Sequence, residues 1–124
     1  MMDPMSDDPQ WLYRQMIDAM AVTCVTGEGQ VSAERVRVGV WNANAHEIED
    51  VDPTQQAMND LIAGLTVDQR TTLAAIVADE FSSGIYHALQ VLHAARLTPF
   101  EEGYDGTPGD DFLGRLEGWD WPES

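Results

Sequence analysis

Between residues 9 and 97 the apolar side chains recur mostly at helical spacing, and one stretch alone, Val36-Val38-Val40, alternates with the two-residue period of a strand. A strand with no partner is not stable, so the chain is directed to a mainly α fold. The first helical run opens at Asp8-Pro9: the aspartate caps free backbone donors, and proline suits the first helical position. Leu12, Met16, Met20 and Thr23/Cys24, with Ile17 and Ala21 beside them, predict a helix over about 9–26, stopped by Gly27 and Gly29. Asp52-Pro53 repeats that start, and Ala57, Met58, Leu61, Ile62 and Leu65 follow as an apolar stripe. Thr66-Val67-Asp68-Gln69 has the form of a capping box, and the helix after it carries Leu73, Ile76, Val77 and Phe81 on one face. The short link through Leu65-Thr66 predicts an antiparallel helical hairpin. Ser82-Ser83-Gly84 reads as a break or bend, after which Ile85, Ala88, Leu89, Leu92 and Ala95 give a further helix over about 84–97, ended by Pro99. The expected body is a bundle of three to four helices over 8–97, with a short extended segment at 35–41 laid across it. Residues 1–7 are expected to be a flexible N-terminus, and Asn42 to Asp52 a solvated loop.

From residue 98 the composition changes. Gly103, Gly106, Gly109, Gly114 and Gly118, with Pro99, Pro108 and Pro122, preclude a long helix, yet Phe100, Tyr104, Phe112, Trp119 and Trp121 argue against a loose tail. An irregular Gly/Pro/aromatic arm over 98–124, packed on the helical body, satisfies both facts. With 124 residues in all, the chain suits a single domain, 1–124.

Charge excludes more than it assigns. Twenty-two acidic residues against six basic ones give a net charge of −16, and every basic residue is an arginine. Without lysine there is no Schiff-base chemistry, no phosphate-loop lysine and no lysine general base. A surface this acidic repels phosphate backbones and anionic membranes, so direct nucleic-acid or membrane binding is not expected. It speeds encounter with basic partners, although a GC-rich genome also encodes lysine-free, acid-rich chains. Cys24 is the lone cysteine, so no internal disulfide forms, and its apolar setting reads as a buried structural thiol. The acidic start from Met1 to Asp8 lacks a signal-peptide pattern, and no run of about 18 apolar residues exists. A cytoplasmic location is expected.

The string Gly114-Arg115-Leu116-Glu117-Gly118-Trp119-Asp120-Trp121-Pro122 is the most distinctive. In an extended backbone Trp119 and Trp121 point to one side and Asp120 to the other. The pair reads either as an internal anchor or, with Tyr104 and Arg115, as an interaction surface or pocket wall. Arg115 is the one cation among eight acids after residue 98, so it is expected to hold a specific carboxylate. This ending resembles small bacterial proteins of unknown function that close with a Gly-Arg-Leu-x-Gly-Trp-x-Trp-Pro type of signature. Leu65-Thr66-Val67-Asp68-Gln69-Arg70 and Gly84-Ile85-Tyr86-His87-Ala88-Leu89 accompany it, so the likeness spans about residues 53–122. It implies a compact bacterial domain and assigns no catalytic role.

Other constellations are weaker. His46-Glu47-Ile48-Glu49-Asp50 lacks the second histidine of a zinc-protease helix. Glu80 and His87, seven apart, share a helical face only if the helix runs unbroken through Gly84; Asp79, Glu80 and His87, joined by His46, are then weak metal candidates. Tyr104 to Asp111 lacks the ligand ladder of a calcium loop and reads as a turn with exposed acids. No nucleophile elbow or dinucleotide motif is present, so no catalytic residue and no cofactor are assigned. The functional expectation is a non-enzymatic protein-interaction module, such as an inhibitor or immunity-type protein for a basic partner. The alternatives are a small ligand- or metal-binding enzyme with a pocket beneath the arm, or a DNA mimic. A homo-oligomer is compatible with either.

Overall fold

The computed structural model describes residues 8–43 and 53–122, and among these it is helical with no strand. Residues 1–7, expected to be flexible, the part of the expected solvated loop beyond Ala43, and His46 lie outside the described residues. In chain order the elements are α1 (Pro9–Thr26), α2 (Glu28–Val38), α3 (Pro53–Ala63), α4 (Val67–Ala94) and α5 (Pro108–Leu116). The chain divides into two compact units: one of Met1–Val25 with Ser82–Ser124, the other of Thr26–Phe81.

In the Thr26–Phe81 unit, α2 replaces the extended segment expected at 35–41. Two residues advance a helix by about 200°, so an alternating pair falls on opposite sides. Val36 is buried and Val38 exposed for that reason, and the inner face of α2 is Ala33 with Val36. Gly39 stops the helix in the left-handed region at φ 86°, its N–H reaching the Arg35 and Val36 carbonyls. A β-carbon there would stand 2.9 Å from the Arg70 guanidinium, so glycine also makes room for that side chain. Arg70 in turn donates to the carbonyls of Ile62 and Ala63, both at 3.3 Å, and closes the end of α3. Thr66 and Gln69 form the expected reciprocal cap of α4, with distances of 2.9 and 3.1 Å. Ile62 and Ala74 complete the small core with Ala33 and Val36, flanked by Trp41, Leu73, Val77 and Ala78. Buried Asn59 pins the chain after α2: its Oδ1 accepts from the Trp41 and Asn42 N–H groups, and its Nδ2 donates to the Asn42 carbonyl, all at 2.8 Å.

In the other unit, α1 opens as the sequence predicts, with the Asp8 carboxylate accepting the Gln10 N–H at 2.8 Å. This unit's buried apolar side chains include Tyr13, Ile17, Cys24, Leu89 and Phe112. Two expectations are corrected here. The helix does not break at Ser82-Ser83-Gly84: α4 runs unbroken for 28 residues, since one glycine weakens a helix by only about 1 kcal/mol and its neighbours are adequate formers. Nor is the arm irregular throughout. Thr107 caps α5 in a full capping box with Asp110, and Pro108 stands at its first turn. Gly109 lets α5 approach α4 closely, because a β-carbon there would lie 2.8 Å from the Tyr86 ring.

Gly84 is exposed, and a β-carbon built on it meets nothing within 4 Å. Gly84→Ala is therefore expected to stabilise the protein by about 0.5–1 kcal/mol, read as a higher urea midpoint with an unchanged slope.

Candidate functional site

The arm closes on α1 through two polar anchors and a stack of rings. Asp111, on α5, is fully buried, which corrects the reading of 104–111 as a turn of exposed acids. Its Oδ2 accepts the Tyr13 hydroxyl at 2.5 Å and the Tyr104 N–H at 2.8 Å, and its Oδ1 accepts the Asp105 N–H at 2.8 Å. Gly103, at φ 67°, permits the fold of this loop, since a β-carbon there would strike the Gly106 carbonyl. Burial pushes the Tyr13 phenol far above its ordinary range, and the hydrogen bond and negative charge of Asp111 add to the shift. Tyr13 also meets the rings of Phe100, Tyr104 and Trp121 at centroid separations of 5.6, 5.9 and 6.1 Å.

The second anchor is Asp18. One oxygen takes the Arg115 Nε at 2.7 Å and the other takes the Trp121 indole N–H at 2.9 Å. Arg115 Nη1 also donates to the Trp119 carbonyl at 2.5 Å, while the Trp119 N–H donates to the Gly114 carbonyl at 2.9 Å. Gly118 turns the chain between them at φ 94°. Arg14 donates to the Tyr104 hydroxyl and the Pro122 carbonyl, both at 2.9 Å, with its guanidinium 4.7 Å from the Tyr104 ring centroid. Trp119 and Trp121 meet edge to face at 5.3 Å. The four residues singled out by sequence, Tyr104, Arg115, Trp119 and Trp121, thus come together in one cluster. Beside it lies a cleft of about 310 Å³ bounded by Asp18, Val22, Val25, Arg115 and Leu116.

The metal candidates do not gather comparably. Asp79, Glu80 and His87 are exposed on α4, and among the described residues no group of three His, Cys, Asp or Glu side chains is placed to hold a metal ion. No helix of the described residues is long and apolar enough to cross a membrane.

A different surface emerges in the Thr26–Phe81 unit. Between α3 and the start of α4 lies an open trough of about 450 Å³ walled by Leu61, Leu65, Leu73 and Ile76, with Asp68, Gln69 and Thr72 at its edge. Leu61 is 65% exposed and Ile76 53%. Leu61 and Leu73 are shared with a second hollow lined also by Trp41, Met58 and Val77, so the apolar lining is continuous. Its signal in the sequence is excess width. Leu61 stands next to Ile62 and Ile76 next to Val77, and in each pair the first residue is more exposed.

The family model for a family of unknown function, DUF6547, matches residues 6–123. The chain belongs to DUF6547. No curated protein and no solved structure matches it. In this DUF6547 chain Gly114, Arg115, Gly118, Trp119 and Trp121 each take part in the anchor at Asp18, and Pro122 supplies a carbonyl to Arg14.

Two outcomes follow for this DUF6547 chain. Deleting Trp119–Ser124 removes the indole bond to Asp18 and the carbonyls held by Arg14 and Arg115, so thermal melting is expected to fall by several degrees. The Tyr13 phenol has a folded-state pKa above its unfolded value near 10, so its stabilisation is complete below about pH 10 and is lost as pH rises beyond. Denaturation followed from pH 9 to 12 should therefore show stability falling less steeply in Tyr13→Phe than in the parent, by up to about 1.4 kcal/mol per pH unit.

Proposed function

We propose that the chain is a non-enzymatic protein-interaction module for a basic partner, in the manner of an inhibitor or immunity-type protein. The observation that carries this reading is the continuous aliphatic trough of α3 and α4, left open to water on a chain of net charge −16. Covering the exposed part of Leu61 or Ile76 contributes about 1–2 kcal/mol each, so the trough offers a partner binding energy that the free protein does not use. The charge adds rate and selection, by steering cationic surfaces inward and repelling anionic ones. The aromatic cluster is read as an internal fastening. Its polar groups are engaged with one another: Arg115 with Asp18, Trp121 with Asp18, and Arg14 with Tyr104.

The test is cross-linking of the tagged full chain in its native host, followed by mass spectrometry, with parallel purifications at low salt and at about 0.5 M salt, where the Debye length is a few ångströms. The expected result is a basic protein cross-linked at low salt and depleted at high salt. Turnover of a substrate by the purified chain, lost on replacing His87, would overturn the reading in favour of an enzyme.

A further inference from the structure

We infer that the trough between α3 and α4 takes one amphipathic helix whose apolar stripe is flanked by lysine or arginine. This rests on the interaction reading above and names its partner's chemistry.

Shape is the first consideration. Along α4 the apolar lining extends from Leu73 to Val77, and the trough's edge begins at Asp68. At 1.5 Å per residue that wall is about 14 Å long, which accommodates between two and three turns of a helix. Helix-in-groove recognition uses anchors at i, i+4 and i+7, which span about 11 Å and fit this length. Trp41 and Met58 continue the apolar floor past Leu61 and Leu73, so an anchor beyond the first pair also meets apolar surface.

Charge selects among possible occupants. Asp68 lines the trough, Asp60 adjoins Leu61 on α3, and Asp79 and Glu80 follow Ile76 on α4; all four are exposed. The cation on these two helices up to Phe81 is Arg70, and its guanidinium is committed to the Ile62 and Ala63 carbonyls. An apolar stripe with cationic borders therefore satisfies floor and rim together. A second copy of this chain meets the opposite situation, since it brings another Asp68 to the same edge and a further −16 of net charge. An acidic or neutral helix gains the floor but not the rim.

The probe is a fluorescent 18-residue model helix with leucine at i, i+4 and i+7 and lysine on both flanks, titrated into the full chain by anisotropy. Two further peptides accompany it: one of identical composition in scrambled order, and one with glutamate in place of lysine. The patterned basic peptide is expected to bind at least tenfold tighter than either, and to shift the methyl resonances of Leu61, Leu73 and Ile76. Leu61→Gln and Ile76→Gln, which remove apolar surface without changing charge, are each expected to weaken binding at least fivefold. Val91→Gln, at an exposed apolar position of α4 in the other unit, should leave it unchanged. Equal binding of the scrambled peptide, or binding unaffected by Leu61→Gln, would overturn the proposal. So would sedimentation showing a parent dimer that Leu61→Gln dissociates, because the occupant would then be a second copy. If Leu61→Gln still cross-links the salt-sensitive basic partner, the interaction reading stands and this groove does not. If the patterned peptide binds as expected but no basic partner is cross-linked, the groove stands and the interaction reading does not.

Discussion

A carboxyl group taken out of water must find donors for its oxygens, and the unit built around α1 is organised by that requirement at Asp111. Its donors come from α1 through Tyr13 and from two backbone amides of the loop before α5. Leaving such buried groups unpaired costs about 1–3 kcal/mol or more per group, so the loop, α5 and α1 are constrained together. Tyr13 then positions Phe100, Tyr104 and Trp121 by ring contact, and Arg14, one residue on, reaches Tyr104 and Pro122. The Thr26–Phe81 unit uses a neutral counterpart. Asn59 meets three backbone groups after α2, and the core beside it is small enough that such a polar tie matters.

What could be read in the sequence was what depends on neighbours within a few residues. Asp8-Pro9 and Thr66 to Gln69 act over one turn, and both helix starts stand where the sequence puts them. The same locality misleads when two local signals compete. Gly27 and Gly29 looked alike, but Gly27 separates two helices while Gly29 is buried inside the second. The valines of α2 alternate over too short a run to distinguish a strand from the two sides of a helix. The density of glycine and proline obscured α5, although Thr107 to Asp110 held a capping box of the same logic as the one at Thr66.

Long-range partners were beyond reach for a different reason. The sequence implies a carboxylate for Arg115, but nothing local distinguishes Asp18, 97 residues away, from the eight acids that follow residue 98. Asp111 sits in an acidic, turn-rich stretch, and only the tertiary fold separates it from the exposed Asp105 and Asp110. The aromatic residues were a better guide. Tyr104, Trp119 and Trp121 bury too much surface to be left apart, and the fold brings them together. The trough was written as a stripe wider than a two-helix hairpin needs, a feature that carries meaning only once Ile62 and Ala74 are seen to fill the inner face.

An open Leu/Ile trough on a small domain is an association hazard, because any copy that meets another can cover it. Acidic charge limits that hazard without filling the trough. Repulsion between copies acts before the apolar surfaces touch, and the carboxylates beside Leu61 and Ile76 would lose water if a like-charged face closed over them. The same side chains present no such barrier to a cationic helix. Exposure of the trough and the −16 charge are therefore two parts of one arrangement: the first makes binding favourable, and the second decides which surfaces approach closely enough to use it.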